Sequence, residues 1–205
     1  MTAPAPIVNQ TKLSMLSAAL VLCGEKPLNS LTDNRYGAAV GAAMFDMVYE
    51  NELQSNRWRF AIKKATLSQI NNTPPNEWQF AFQLPTDMLM PIGFWGMGPD
   101  RSYEIYGGNI IYTNVKSNPG PVNASAPVLT FDYMFKPDPS TVPSYFSLLV
   151  TYALARDMIK PITESDTAST AMGVKYARQR AAAMYADAQG RPNRQLQHNP
   201  FVQVR

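Results

Sequence analysis

The sequence predicts an α+β fold, a bundle of about four helices with an inserted small antiparallel β lobe and an extended C-terminal tail. Apolar residues recur at helical spacing near both ends of the chain, they alternate with polar residues in the middle, and a proline-containing basic stretch follows the last helical pattern. The 205 residues suffice for one sizeable domain. The predicted segments are 1–57 (N-terminal helices), 58–141 (β lobe with long loops), 142–189 (C-terminal helices) and 190–205 (basic tail).

The first helix is predicted from about Asn9 to Cys23, with Gly24 as its stop, because glycine is common just after helix ends. Its apolar stripe has three- and four-residue spacing and consists of Leu13, Leu16, Leu20 and Cys23.

The second helix is predicted to open at Thr32 or Asp33, both favourable N-caps, and to run to about Ser55. One side of it carries Tyr36, Val40, Ala43, Met44 and Met47. Its first half is also rich in glycine and alanine, which would let a neighbouring helix approach closely.

The pattern changes at the stretch "RWRF", where aromatic and basic residues alternate with the period of an extended segment. One interpretation is a nucleic-acid site, in which the aromatic rings stack on bases and Arg57 and Arg59 pair with phosphates. The other is a core junction between helix and sheet, in which Trp58 and Phe60 are buried and the arginines face solvent. The alternation favours the core junction.

The middle of the chain predicts antiparallel strands. The alternating apolar sets are Phe80, Phe82 and Leu84, then Tyr103 and Ile105, Ile110 and Tyr112, and finally Leu129, Phe131, Tyr133 and Phe135. Gly107-Gly108 between the second and third sets indicates a hairpin. The stretches "PIGFWGMGPDRS" and "TNVKSNPGPVNASAP" are predicted as long loops.

Helices are predicted to return after Pro143, a residue suited to a first helical turn. The apolar set of this helix is Phe146, Leu149, Val150, Ala153, Leu154 and Ile159, and Pro161 is expected to end it. Thr163 and Asp166 resemble a capping box for a last, alanine-rich helix from about Glu164 to Gln189, which Gly190 and Pro192 close. Met172, Tyr176, Met184 and Tyr185 are its bulky residues.

The charge is concentrated at one end. The net charge is +3, and the last sixteen residues hold Arg191, Arg194 and Arg205 without any acid. Basic and acidic residues are equal in number in the rest of the chain, which argues against a body that binds DNA through its phosphates. The basic tail is therefore expected to bind a partner.

Few residues have side chains and spacing suited to catalysis, metal binding or phosphate binding. The single histidine, His198, lies in the tail, and Cys23, the single cysteine, lies on a helix stripe, where a core role is expected. Asp46, Glu50 and Glu52 are interpreted as a solvated helix face, and Gly107-Gly108 lacks phosphate-loop spacing. No enzyme activity, metal site or cofactor is predicted. One cysteine also excludes an internal disulfide, and neither a signal peptide nor a membrane-spanning segment is predicted.

Several motifs in order resemble the tail tubular protein A family, the adaptor or gatekeeper proteins below the portal of short-tailed phages. They are "LCGEKPLNSL", the Trp58-Arg59-Phe60 motif after the second helix, "FQLPTDML", "YEIYGGNIIYTN" and "DPSTVPSYFSLLVTYALARDMIKPITES". Together they cover about Leu13 to Ala188. The glycine-rich loop Gly93 to Pro99 does not align with the family.

The resemblance implies a structural virion protein assembled in the host cytoplasm. Its copies would form a ring, commonly of about twelve, that joins the portal to the tail nozzle and forms part of the DNA ejection channel. DNA would pass through the lumen without specific binding, and related rings also offer a docking surface for tail fibres. The tail is then the expected portal interface, with Arg191, Arg194, Leu196, Phe201 and Arg205 as its contacts.

Two other classes remain open. A nucleic-acid-binding module would use the basic tail together with Arg57 and Arg59, and its DNA affinity would depend steeply on salt. An enzyme, such as a virion hydrolase, would need converging titratable groups, and the sequence supplies no such set.

Overall fold

A computed structural model of the chain describes residues 11–70, 77–94, 103–115 and 129–190. These ranges contain the helices α1 (Lys12–Leu22), α2 (Tyr36–Gln54), α3 (Ser144–Thr163) and α4 (Asp166–Gln189). Their strands are β1 (Ile62–Thr66), β2 (Ser68–Gln69), β3 (Phe80–Gln83), β4 (Met88–Phe94), β5 (Tyr103–Tyr106), β6 (Ile110–Thr113) and β7 (Thr130–Phe135). The predicted α+β class, with four helices and a small antiparallel β lobe, is confirmed.

The chain forms two compact units, and the division falls within α2. Unit 1 comprises residues 1–12 and 43–142, and unit 2 comprises residues 13–42 and 143–205. The second part of α2 thus belongs with the strands, whereas its first part belongs with the other helices.

Unit 1 contains two antiparallel sheets, with strand orders β1-β7-β4 and β2-β3-β6-β5. Side chains from both sheets meet in one apolar cluster, formed by Leu67, Phe82, Leu84, Phe94, Ile111, Leu129, Phe131 and Tyr133. Within it the rings of Phe94 and Phe131 pack edge to face, with centroids 5.3 Å apart, a favoured aromatic geometry. The alternation predicted for β7 is confirmed at Leu129, Phe131 and Tyr133, which are all buried, but not at its end, where Met134 is fully buried and Phe135 is half-buried.

The hairpin predicted at Gly107-Gly108 is confirmed. Strands β5 and β6 pair antiparallel, and Tyr106 lies opposite Ile110. The two glycines have φ of +63° and +84°, a left-handed conformation in which a side chain would be strained.

The prediction of a loop from Pro91 onward is wrong for its first residues, because β4 continues to Phe94. β4 is an edge strand, where a proline does not interrupt the ladder as it would in a central strand. Its register against β7 shifts between Met88 and Met90 and again between Pro91 and Gly93. These irregularities let a segment with loop-like composition stay paired.

Unit 2 begins with α1 from its second residue, Leu13, onward, and the end of this helix agrees with the prediction. Gly24 has φ of +88°, and the amide of Glu25 donates to the carbonyl of Leu20 at 2.9 Å, which closes the helix. Of the predicted stripe, Leu16, Leu20 and Cys23 are buried and Leu13 is half-buried.

The start of α2 differs from the prediction. The carboxylate of Asp33 accepts hydrogen bonds from the amide and guanidinium of Arg35, so a tight turn precedes the helix, which begins at Tyr36. The predicted apolar side of α2 is also not its buried side, since Tyr36 and Met47 are both 64 % exposed.

Of the small residues in the first half of α2, Gly37, Ala38 and Gly41 are buried, whereas Ala39, Ala42 and Ala43 are exposed. A Cβ atom on Gly41 would overlap the side chains of Leu16 and Met158, so both approach this glycine more closely than any other residue would permit. The prediction that a neighbouring helix comes close to this face is confirmed.

Helix α3 begins directly after Pro143, and its six predicted apolar residues are all buried. The prediction that Pro161 ends it is wrong, because α3 continues to Thr163 and ends at Glu164, which is left-handed with φ of 53°. A proline removes only its own N–H from a helix, and the residues after Pro161 still bond to the preceding turn. The hydroxyl of Thr163 donates to the Ile159 carbonyl at 2.7 Å, and the amide of Glu164 donates to the Lys160 carbonyl at 2.9 Å.

The capping box predicted at Thr163 is also wrong. Ser165 is the N-cap of α4, and its hydroxyl accepts from the amide of Ala168. The short turn after α3 leaves Thr163 inside that helix, so the cap shifts to the next hydroxyl residue.

Candidate assembly surface

Trp58 lies at the junction of helix and sheet in unit 1, as predicted. Its side chain is fully buried as predicted, whereas that of Phe60, which was also predicted to be buried, is only half-buried. Arg57 and Arg59 are exposed. The predicted extended segment is wrong here, because residues 59–61 form a 3₁₀ turn before β1. That turn buries Ala61 instead of leaving it on the exposed side.

The indole of Trp58 closes the end of α2. Its Nε1 donates to the carbonyl of Glu52 at 2.8 Å. That carbonyl belongs to the last turn of α2, where the helix backbone supplies no partner, and it also accepts from the hydroxyl of Ser55 at 2.9 Å. The tryptophan therefore both fills the core and caps a helix, and its buried ring cannot stack on a base.

The solvated-face interpretation of the α2 carboxylates is wrong for Glu52, whose side chain is fully buried. Asp46 lies 3.0 Å from Nζ of Lys12, and Glu50 lies 2.6 Å from Nζ of Lys136. These two exposed or half-exposed carboxylates belong to ion pairs between distant parts of unit 1.

The thiol of Cys23 is a core group of unit 2, as expected. Its Sγ donates to the carbonyl of Ala155 at 3.6 Å. Burial, together with the nearby charge of Glu25, raises the pKa of Cys23 to about 11. The thiol therefore stays protonated at neutral pH and is a poor nucleophile.

A polar cluster on unit 1 joins β1, β7 and the segment before β4. Asp87 accepts from Nζ of Lys63 and from the hydroxyl of Tyr133, each at 2.9 Å. The lysine bond, aided by the tyrosine bond, lowers the pKa of Asp87, whereas burial and the Asp87 carboxylate raise the pKa of Tyr133 to about 12. Every member thus has a partner at neutral pH, and the cluster ties three segments together.

Within the described ranges, no group of three or more histidine, cysteine, aspartate or glutamate side chains is arranged to hold a metal ion. No helix in the same ranges combines the length and the apolar character needed to cross a membrane.

A groove in unit 2 is lined by residues of α1 and α3. It has a volume of about 530 Å³ and is lined by Ser14, Ser17, Ala18, Val21, Leu22, Leu148, Thr151 and Tyr152. Val21 is 52 % exposed and Leu148 is 45 % exposed. We call this feature the α1–α3 groove.

The hydroxyls of the α1–α3 groove are partly engaged inside the protein. Ser17 Oγ accepts from the amide of Leu28, and Thr151 Oγ1 donates to the carbonyl of Ser147. The flanking stretches, residues 13–24 and 144–155, contain no charged residue. An apolar partner therefore suits this groove better than a charged one.

The outward side of α4 is a second apolar surface of unit 2. Its exposed residues repeat at alternating four- and three-residue spacing and are Thr170, Val174, Ala177, Ala181, Met184 and Ala188, with Tyr185 beside them. This spacing is typical of helix-to-helix seams. We call these seven residues the α4 outer face. The sequence indicated the bulky Met184 and Tyr185 but not that they point outward.

The flanks of the α4 outer face are basic. Lys175 and Arg178 are exposed and Arg180 is half-exposed. No acidic residue occurs from Thr167 to Ala186. A second copy of the same face would therefore meet like charge, which disfavours symmetric pairing.

Arg191, Arg194, Leu196, Phe201 and Arg205, the predicted portal contacts, lie outside the described residues, and so do His198 and residues 95–99 of the glycine-rich loop. Their roles stay predictions.

Comparison of the chain with models of known protein families and with curated proteins finds no match in either case.

Proposed function

We propose that the chain is a structural virion protein, the subunit of a head-to-tail adaptor ring that joins a phage portal to the tail nozzle. The observation that carries this proposal is a pair of unlike apolar surfaces on unit 2, the α1–α3 groove and the α4 outer face. A ring is closed by heterologous contacts, in which each subunit offers two different surfaces. The sequence resemblance supplies the place of the ring between portal and nozzle.

The charge of the chain suits this role. Outside the last sixteen residues, basic and acidic residues balance, so the body as a whole carries no net positive charge with which to hold DNA that must pass. In this proposal the basic tail binds the portal, with Arg191, Arg194, Leu196, Phe201 and Arg205 as contacts. Tail fibres and the nozzle would bind elsewhere on the ring.

The proposal is tested by the binding of variants to portal rings, measured by co-sedimentation. A chain cut after Gln189 should keep its helical circular dichroism and thermal transition but bind the portal at least about tenfold more weakly, because the cationic contacts are lost. Unchanged binding by this truncated chain would refute the tail as the portal contact.

A second pair of variants tests the assembly surface. Met184→Glu places a charge on the α4 outer face and should prevent subunits from joining on the portal. Tyr106→Glu is the matched control, because Tyr106 is an exposed aromatic residue of unit 1 at 48 % exposure. If both variants assemble like the parent chain, the α4 outer face is not a ring contact.

The nucleic-acid alternative retains one favourable observation, the exposure of Arg57 and Arg59. It predicts DNA binding that weakens steeply with salt and falls in the double variant Arg57→Ala/Arg59→Ala. The adaptor proposal predicts no such dependence on these two arginines.

A further inference from the structure

The end of α4 lies beside the first turn of α3 in unit 2. The hydroxyl of Tyr145 donates to Oδ1 of Asp187 at 2.8 Å, and Asp187 is buried. Leu148, at the rim of the α1–α3 groove, is three residues farther along α3, which is about 4.5 Å along the helix axis at about 1.5 Å per residue. The chain therefore leaves α4 next to one end of the groove.

The sequence after Gly190 has a composition that fits the groove. Residues 191–205 contain four large apolar residues, Leu196, Phe201, Val202 and Val204, and no acid. The six residues from Gly190 to Leu196 can span about 20 Å when extended. That reach exceeds the distance of about 10 Å along α3 from Tyr145 to Tyr152 at the far side of the lining.

We propose that the α1–α3 groove is a docking site for the chain's own C-terminal segment, with Leu196 and residues 201–204 covering Val21 and Leu148. The match is chemical, because the stretches that flank the groove are uncharged and two of its hydroxyls are engaged within unit 2. Docking would remove this exposed apolar area from water, which favours the bound state.

Attachment favours the segment of the same chain over that of a second copy. A tether of a few residues gives an effective concentration in the millimolar range, far above that of a dilute second copy. The first ten residues are the other candidate segment, but they contain only Ile7 and Val8 as branched apolar residues and no aromatic one.

Docking in the groove would hold the tail on its own subunit until a stronger partner displaces it. This inference does not depend on the adaptor proposal, since the free chain alone can test it. If the tail also binds the portal, each subunit would exchange an internal contact for an external one, and premature association would be suppressed.

Disulfide trapping tests the proposal in the full chain. The double variant Leu148→Cys/Phe201→Cys should form an intramolecular disulfide in dilute oxidising solution. The control Val174→Cys/Phe201→Cys places the first cysteine on the α4 outer face, also on unit 2 and within the reach of about 36 Å that eleven extended residues allow. The expected yield at Leu148 is at least about tenfold that at Val174. Cys23 remains in all variants, since its buried thiol, with a pKa of about 11, does not compete.

Three outcomes would overturn the proposal. Equal yields at Leu148 and Val174 would mean that the segment has no preferred site. A disulfide between isotopically heavy and light chains in a mixture would place a second copy's segment in the groove. A higher yield for Ile7→Cys/Leu148→Cys would assign the groove to the N-terminal segment.

A measurement without engineered cysteines guards against unfavourable disulfide geometry. Removal of residues 190–205 should uncover the groove and raise the fluorescence of a bound hydrophobic dye several-fold. The further change Leu148→Ser should reverse much of that rise, because it removes apolar surface from the rim. Dye fluorescence that does not respond to the truncation would show that nothing covers the groove in the full chain.

Discussion

Unit 1 and unit 2 differ in the sequence separation of their ion pairs and in the number of large apolar side chains that they expose. Among the described residues of unit 1, ion pairs join parts of the chain that are far apart in sequence, such as Lys12 with Asp46, Lys64 with Asp132 and Lys136 with Glu50. The ion pairs among the described residues of unit 2 join residues that are close in sequence, namely Arg35 with Asp33, Arg156 with Asp157 and Lys160 with Asp166.

Exposed apolar side chains show the opposite distribution. Among the described residues, the large exposed ones of unit 2 are Val21, Leu31, Tyr36, Leu148, Val174, Met184 and Tyr185, whereas unit 1 has Met47 and Tyr106. Apolar area left in water is common at surfaces that bind other proteins. We therefore propose that partners bind unit 2, whereas the described part of unit 1 is held together by its own long-range contacts.

The largest expected effect tests the internal contacts of unit 1. Trp58→Ala should lower the free energy of unfolding by about 3–5 kcal/mol, because it leaves a cavity and removes one of two donors to the Glu52 carbonyl, the other being the Ser55 hydroxyl. Urea denaturation followed by circular dichroism measures the change, and Arg57→Ala, at an exposed neighbour, is the control. A loss well under 1 kcal/mol would mean that Trp58 is accessible, and the nucleic-acid interpretation would regain support.

A pair of glycine substitutions contrasts the packed interior of unit 2 with its open surface. Gly41→Ala should destabilise by about 1–3 kcal/mol, since its new methyl group meets Leu16 and Met158. Gly173→Ala meets nothing within 4 Å and should stabilise α4 by roughly 0.5–1 kcal/mol. Thermal unfolding of both variants measures the contrast, and shifts of the same sign would contradict the close packing at Gly41.

The smallest effect concerns the Asp87 cluster of unit 1. Because its folded pKa is lowered, chiefly by Lys63, the contribution of Asp87 to stability is complete above the unfolded pKa of about 3.9 and is lost as the pH falls through the folded value. Asp87→Asn should therefore reduce stability by about 0.5 kcal/mol at neutral pH and flatten its decline in acid. Tyr133→Phe, which removes one of the two bonds, should lie between the parent and Asp87→Asn in pH-dependent denaturation.

Much of the fold was predictable because local patterns agree with the tertiary packing. The apolar set of α3, the end of α1 at Gly24 and the hairpin at Gly107-Gly108 are encoded by neighbouring residues. The predictions were wrong where contacts between residues distant in sequence determine the local structure. Pro91 is tolerated because β4 is an edge strand, and the buried side of α2 is set by close approach at Gly41 rather than by its bulkiest residues.

The site was harder to predict than the fold. Trp58 was predictable from alternation, although a helical turn and not a strand buries it. The α1–α3 groove and the α4 outer face were not predicted, because an exposed Leu148 or Met184 has the same sequence signature as a buried one. Only the three-dimensional structure separates the apolar residues that fill a core from those that remain in solvent.

The most direct test of the adaptor proposal is the mass of the full chain, measured by native mass spectrometry alone and then mixed with portal rings of short-tailed phages. Addition of portal rings should yield a complex that carries a closed set of about twelve subunits. A chain that ignores portal rings and instead binds DNA with a steep salt dependence would contradict it.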